Sequence, residues 1–265
     1  MKIAVAGKGG VGKTFVSSTL SRLLARDGYN VLAVDADPNL NLAMGLGVPS
    51  EIANGIVPLS DNEALVKERT GVSAEEAYAP IFNMTPRVND IVDRFGVTAP
   101  DGVKLLVMGT VKGGGTGCMC GANALLRVLL QHLLIQRGEV LVMDMVAGLE
   151  HLGRGTARRM DAMLVVLEPR MKSVDTIRRI MRLAQEIEVK EVLAVGNKVA
   201  RPKDREFIQR NMDELDVPVV AYIPYDEAVT DADMAGAPTL DYAPDSEAVK
   251  AVSGLKGYLL DRYKP

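Results

Sequence analysis

The sequence predicts an α/β fold in which helices cover both faces of a mostly parallel central sheet. Seven apolar runs rich in Val, Leu, Ile and Met recur along the 265 residues, and segments with helical spacing lie between most of them. The runs are continuous rather than alternating, which is typical of parallel strands buried on both faces. A glycine-rich segment follows the first run directly. Together these observations predict one three-layer α/β/α domain over residues 1–265, with about seven or eight strands.

The apolar runs predict strands, and segments with apolar spacing of three and four predict helices. The strands are expected at residues 3–6, 31–34, 104–108, 140–143, 163–167, 192–195 and 219–223. The longer helices are expected at 16–25, 122–136, 174–187, 206–215 and from 246 to 258 or beyond. Residues 45–102 are rich in turn formers, with short helices expected at 62–69 and 74–78. We expect this insertion to carry a partner-specific surface.

The composition is that of an ordinary globular protein, with 48% hydrophobic and 25% charged residues. A net charge of −3 gives no electrostatic attraction to nucleic acid. No apolar run approaches the roughly 18 residues that span a bilayer, and no signal segment opens the chain. We therefore expect a cytoplasmic protein that binds neither nucleic acid nor membrane.

The run Gly7-Lys8-Gly9-Gly10-Val11-Gly12-Lys13-Thr14 matches G-x-x-x-x-G-K-[ST], the phosphate-binding loop. Glycines let successive backbone N–H groups turn toward an anion, and the helix that follows adds the positive end of its dipole. Lys13 is placed to reach the outer phosphates, and the Thr14 hydroxyl is placed to bind Mg²⁺. The alternative is a glycine-rich turn without a ligand, which the complete match disfavours. The motif predicts a P-loop nucleoside triphosphatase.

Two later strands end in aspartates. The second leads into Asp35-Ala36-Asp37-Pro38, and the fourth ends at Asp144, with Gly148 four residues further on. Carboxylates at the carboxyl ends of parallel strands lie in the crevice where open sheets bind ligands. Asp144 is therefore a candidate for the carboxylate at Mg²⁺, and the Gly148 N–H is a candidate sensor of the terminal phosphate. The alternative for each aspartate is a cap on the next turn.

Cys118 and Cys120 are the two cysteines, and both lie in a glycine-rich segment before a predicted helix. A disulfide between them would close a strained small ring. A helix N-terminus favours the thiolate, which is the metal-binding form. Two thiolates do not fill the four positions of a tetrahedral Zn²⁺ or square-planar Ni²⁺ site, but a two-fold dimer supplies two more. The sequence thus predicts a Cys₄ site shared by two chains. The alternative is a pair of inert buried thiols.

The phosphate-binding loop resembles the deviant loop of the family that includes MinD, ParA and the nitrogenase iron protein. The resemblance implies that Lys8 reaches across a dimer interface to the partner subunit's nucleotide. It also implies that Asp37 orients or activates the attacking water and that Asp35 holds Mg²⁺ through a water. This chain has Phe15 where the family usually has a second Thr, which leaves the Thr14 hydroxyl unaffected.

The same resemblance indicates a base site. Asn197, followed by Lys198, resembles the adenine-contacting asparagine of the ATP-using members. Ala200 stands where GTP-specific relatives have the guanine-reading aspartate of N-K-x-D, so ATP or ADP with Mg²⁺ is the expected ligand. Pro224, Tyr225 and Asp226 resemble the family's loop that packs on the other side of the base.

Four features together are similar to the CooC-type ATPases, which mature nickel-dependent carbon monoxide dehydrogenase. They are the deviant loop, the D-x-D-P run, the run M-D-M-x-A-G-x-E-H-L at 143–152 and the C-x-C. The similarity is weakest over 52–102, and Val146 stands where a smaller residue is usual. It implies an ATP-driven homodimer that holds Ni²⁺ or Zn²⁺ and serves that dehydrogenase or a related nickel enzyme. Two alternatives are a MinD- or ParA-like positioning or partition ATPase and an iron–sulfur electron donor resembling the nitrogenase iron protein.

Overall fold

The computed structural model describes residues 1–37, 39, 41–71, 83, 85–109, 121–135, 139–145 and 159–263. Within these ranges the strands form one eight-stranded sheet. They are β1 (Lys2–Gly7), β2 (Val31–Ala36), β3 (Val97–Thr98), β4 (Lys104–Val107), β5 (Val140–Met145), β6 (Ala162–Leu167), β7 (Val192–Val199) and β8 (Val219–Pro224).

The sheet order is β3-β4-β2-β5-β1-β6-β7-β8, and only β3 runs antiparallel to its neighbour. The three strands that carry the sequence motifs, β2, β5 and β1, are therefore adjacent. Asp35 on β2 lies in register with Asp144 on β5. Because parallel strands end at the same edge, the phosphate-binding loop and both aspartate-bearing turns meet there.

Helices pack on both faces of this sheet. In chain order they are α1 (Lys13–Arg26), α2 (Leu42–Leu46), α3 (Ser50–Ala53), α4 (Glu63–Thr70), α5 (Ile91–Phe95), α6 (Gly121–Ile135), α7 (Met171–Glu186), α8 (Pro202–Asp213), α9 (Glu227–Met234), α10 (Thr239–Tyr242) and α11 (Glu247–Arg262).

Strand β1 shows why the apolar runs are continuous. Ile3 and Val5 belong to a hydrophobic cluster with α1, α2 and α11, whereas Ala4 and Ala6 belong to a second cluster with α4, α6, α7 and α8. Successive side chains point to opposite faces of a strand, so both parities must be apolar when both faces are covered. The predicted three-layer fold with a mostly parallel sheet is confirmed.

The sequence did not predict the shortest elements, nor the eight-residue helix α9. Strand β3 has only two residues, and the helices α2, α3, α5 and α10 have four or five. A single helical turn has too few positions to show a 3.6-residue period. The helix expected at 74–78 lies outside the described residues.

Candidate nucleotide-binding site

The loop between β1 and α1 has backbone angles that favour glycine. Gly10 has φ 80° and Gly12 has φ 95°, both in the left-handed region. Gly12 also lies against β7, because a Cβ there would overlap the amide nitrogen of Asn197. Within the described residues, no side chain caps the start of α1. Its first N–H groups are thus left for an anion.

Two side chains from the end of β7 hold this loop in place. The Asn197 amide nitrogen donates to the Val11 carbonyl at 2.8 Å, and the Lys198 ammonium donates to the Gly10 carbonyl at 2.7 Å. Lys198 has φ 57°, an uncommon angle for a lysine. These bonds hold two successive carbonyls of the loop. The structure therefore directs the Asn197 amide at the loop, and its contact with adenine stays a prediction.

Asp37 lies opposite the lysine at the start of α1. One carboxylate oxygen is 3.5 Å from the Lys13 ammonium, and both groups are buried. The other oxygen accepts hydrogen bonds from the backbone and side-chain nitrogens of Asn39, each at 2.9 Å. Asn39 was missed in the sequence, although the N–H two residues after an aspartate is a usual partner in an Asx-turn. The two contacts fix the direction of the Asp37 carboxylate.

Asp35 has a different environment from Asp37. Its two oxygens accept the backbone N–H groups of Asp37 and Leu42, each at 3.0 Å. Burial raises the pKa of Asp35 to about 7, although both hydrogen bonds lower it. The carboxylate thus holds the turn after β2 and the first residue of α2. Its predicted contact with Mg²⁺ through a water stays a prediction.

This buried carboxylate makes a testable contribution to pH dependence. Because the folded pKa lies above the ordinary value of 3.8, ionisation disfavours the folded state. We expect the free energy of unfolding, measured with urea in EDTA, to fall by roughly 3 kcal/mol from this group between about pH 4 and pH 7. Asp35→Asn should remove that part of the slope. An unchanged slope in the variant would contradict the assignment.

Thr14 and Asp144 together fit a bound Mg²⁺. The Thr14 hydroxyl donates to one Asp144 oxygen at 2.7 Å. The other oxygen, Oδ1, is buried and has no hydrogen-bond partner among the described residues. Burial raises the pKa of Asp144 to about 6, while the Thr14 hydrogen bond and the Lys13 charge oppose this shift. A buried, incompletely paired carboxylate beside a hydroxyl supplies the hard oxygen ligands that Mg²⁺ prefers.

A cleft of about 440 Å³ opens beside the start of α1. Thr14, Phe15, Ser18 and Thr19 of α1 line it, and so does Lys198. The remaining walls come from three segments that the sequence analysis did not assign to a site. They are α2 and the residue before it, with Asn41, Met44 and Gly45; α9, with Val229, Thr230 and Asp233; and the segment from Gly236 to Thr239, which leads into α10.

The segment predicted to pack on the base, Pro224 to Asp226, makes mainly structural contacts among the described residues. Tyr225 is exposed, and its N–H donates to the Val199 carbonyl at 3.1 Å. Asp226 accepts the N–H of Ala228 at 3.0 Å and that of Ala248 at 3.1 Å. It therefore caps α9 and joins it to the start of α11. Neither Tyr225 nor Pro224 is among the residues that line the cleft, so their contact with a base stays a prediction.

Of the remaining predicted residues, the structure describes Lys8 but not Gly148, Cys118 or Cys120. Lys8 is partly exposed on the loop and forms no ion pair within the part of the chain that the structure describes. The predictions made for Gly148 and the two cysteines therefore lie outside the described residues.

This edge of the sheet defines a P-loop nucleoside triphosphatase site. A family model described as the CobQ/CobB/MinD/ParA nucleotide binding domain matches residues 2–240, and the chain belongs to this family of nucleotide-binding ATPases. Over 265 residues it is 42% identical to the carbon monoxide dehydrogenase accessory protein CooC of Rhodospirillum rubrum, covering 100% of this chain and 98% of the relative. The predicted resemblance to CooC-type ATPases is confirmed.

Other proteins are similar to this chain in sequence or in fold. An ATP-binding protein of Methanocaldococcus jannaschii is 43% identical over 98% of both chains. Among solved structures, MinD of Aquifex aeolicus has a TM-score of 0.69 at 20% identity, covering 100% of this chain and 99% of the other. MinD of Pyrococcus horikoshii, complexed with Mg-ADP, has a TM-score of 0.64 at 22% identity, covering 97% and 95%. These likenesses show the fold.

Across the described ranges, no helix combines the length and apolar character that crossing a bilayer requires.

Proposed function

We propose that this protein is a cytoplasmic accessory ATPase of a nickel-dependent carbon monoxide dehydrogenase. It works as a homodimer of single-domain chains and delivers nickel to that client or to a related nickel enzyme. The observation that carries the proposal is the 42% identity to CooC over essentially the whole of both chains. The assembled nucleotide site and the sequence Cys118-Met119-Cys120 support it.

The nucleotide has a consistent place in this proposal. The loop from Gly7 to Thr14 binds the phosphates, and the cleft beside Phe15 holds the nucleoside. Thr14 and Asp144 hold Mg²⁺, which neutralises charge on the phosphates when it is bound. Asp37, whose direction is fixed by Asn39 and Lys13, positions the attacking water. ATP is the proposed substrate because Ala200 leaves the guanine-reading position without a carboxylate.

Lys8 and the cysteine count support the proposed dimer. Lys8 is a partly exposed cation at the phosphate site that has no ion-pair partner among the described residues. In the proposed dimer it reaches the partner subunit's nucleotide. Each chain supplies Cys118 and Cys120, and a two-fold axis brings four thiolates to one metal ion. ATP binding closes the dimer and sets the thiolate geometry, and hydrolysis relaxes it.

Metal content and mass measured together test this proposal. Wild-type protein should bind about one Ni²⁺ or Zn²⁺ per dimer, because four thiolates fill one four-coordinate site. Cys118→Ala/Cys120→Ala should lose this metal, whereas the matched control Met119→Ala should retain it. Equilibrium dialysis with metal analysis gives the stoichiometry, and analytical ultracentrifugation with and without nucleotide gives the mass.

The outcomes separate the proposal from its alternatives. Metal binding that survives removal of both cysteines, or a chain that stays monomeric under every nucleotide and metal condition, would reject the shared site. A brown chromophore after anaerobic purification would favour an iron–sulfur electron donor instead.

A further inference from the structure

Arg22 lies on α1, two turns beyond the phosphate-binding loop, and only 3% of its side chain is exposed. Its Nε donates to Asp101 at 2.7 Å, and its two terminal nitrogens donate to Asp241 at 2.5 and 2.8 Å. Arg26, one turn further along α1, approaches the same two carboxylates at 3.1 and 3.5 Å. A buried guanidinium that forms a two-pronged bond to a carboxylate fixes direction as well as distance.

Asp241 belongs to α10, and α10 begins where the wall of the cleft ends. Residues 236–239 line the cleft, and Pro238 is the residue before the first turn of α10. The bond to Arg22 therefore holds this wall at a fixed distance from α1, which also lines the cleft.

Helix α2 is held at the same point. Gly47 ends α2 with φ 84°, and a Cβ there would lie 3.0 Å from Pro238, 3.4 Å from Pro100 and 3.6 Å from the Arg22 guanidinium. The start of α2 is in turn bound by Asp35, since the Leu42 N–H donates to that carboxylate. Two walls of the cleft, α2 and the loop before α10, thus meet beside one buried arginine.

We propose that Arg22 is a positioning residue for nucleotide binding, which sets the width of the nucleoside cleft through its bond to Asp241. The proposal rests on the assignment of this cleft to the nucleoside. Arg22 does not line the cleft; it acts through the segment that Asp241 anchors. The ligand class is a nucleoside di- or triphosphate, because the cleft is continuous with Thr14 of the phosphate-binding loop.

The arginine offers an internal control, because its two carboxylate partners lie in different places. Asp101 belongs to the turn Pro100–Gly102, which lies beside Gly47 at the end of α2 but contributes no residue to the cleft, whereas Asp241 lies directly after the cleft wall. Asparagine suits both positions, since it keeps one oxygen acceptor. It also tolerates the φ of 59° at residue 101.

The test compares MgADP affinity by isothermal titration calorimetry, well below the melting temperature, in wild type, Asp241→Asn and Asp101→Asn. We expect Asp241→Asn to raise the dissociation constant about tenfold. The variant loses one of the two hydrogen bonds to Arg22, so the segment before α10 becomes less ordered, and nucleoside binding must then order it. Asp101→Asn should change it less than about twofold. Both variants should lower the melting temperature, since each weakens the pairing of the same buried cation.

Three results would overturn the inference. If neither variant changes MgADP affinity while both lower the melting temperature, Arg22 has a structural role only. Equal losses of affinity in both variants would show a general loosening of the fold. If wild-type protein does not bind MgADP, the proposed nucleotide site is itself wrong, and this inference fails with it. Arg22→Lys, which keeps the charge without the fork, should weaken affinity in the same direction as Asp241→Asn.

Discussion

Asp37→Asn is expected to lower the turnover number for ATP about 10²- to 10⁴-fold, the usual effect of removing a group that directs proton transfer or the attacking water. The dissociation constant for MgADP should stay within about threefold of wild type, because asparagine preserves the volume and keeps one oxygen for the Asn39 hydrogen bonds. The change replaces the charged oxygen that faces Lys13 with an uncharged amide nitrogen. Steady-state phosphate release and calorimetric titration measure the two quantities.

The control for this variant is Asp27→Asn, at the far end of α1. Asp27 forms an exposed ion pair with Lys256, so its loss should leave turnover unchanged. A second variant, Asn39→Ala, leaves the Asp37 charge in place but removes the side-chain hydrogen bond that directs it. We expect an intermediate loss of turnover. Full activity in Asp37→Asn would remove Asp37 from the reaction, and equal affinity losses in all three variants would indicate damage to the fold.

The sequence predicted the sheet well because both faces of each strand are buried. Every apolar run that was predicted to form a strand does so, and the phosphate-binding loop follows β1 as its motif requires. The order of the strands in the sheet was not predicted. Strand β1 lies between β5 and β6, which are more than a hundred residues away in sequence. Nothing in a local pattern of hydrophobicity records which distant strand becomes a neighbour.

Within the site, the sequence identified residue types but did not assign their partners. Asp35 and Asp37 are two residues apart, yet one holds two backbone N–H groups and the other faces Lys13. The adenine contact of Asn197 stays a prediction, and nothing in the sequence indicated the bond by which its amide holds the phosphate-binding loop from β7. Asp35 has its partners within seven residues, whereas the partners of Asp37 and Asn197 lie in another part of the chain. Tertiary contacts therefore decide roles that spacing alone leaves open.

The nucleoside cleft shows the same limit more strongly. Besides α1, its walls come from α2, from α9 and from the residues that lead into α10, and none of these lining residues belongs to a motif that the sequence analysis named. The burial of Arg22 could not be predicted from the sequence either, because arginine on a helix is usually a surface residue. What could have been found is the pair of Asx-turns in Asp35-x-Asp37-x-Asn39, since each places a carboxylate two residues before its N–H partner.

Gly12→Ala is expected to raise the dissociation constant for MgADP at least about 100-fold, equivalent to roughly 2.7 kcal/mol. Two effects act together at this position. The φ of 95° disfavours any residue with a Cβ. The new methyl group would also overlap the Asn197 amide nitrogen. The amide must then move, and its hydrogen bond to the Val11 carbonyl is lost with it. The loop would no longer hold its N–H groups ready for the phosphates.

Gly28→Ala separates the two effects, because Gly28 lies just beyond the other end of α1 with φ 90°, and a Cβ there would meet open space. That variant carries the backbone strain without the overlap, so it should lower the melting temperature and leave MgADP affinity unchanged. Asn197→Ala has the other effect alone, because it removes the hydrogen bond to the Val11 carbonyl without straining the backbone at Gly12. We expect it to weaken MgADP binding by about tenfold. If Gly12→Ala bound MgADP as tightly as Gly28→Ala, the contact between β7 and the loop would have no part in holding the phosphates.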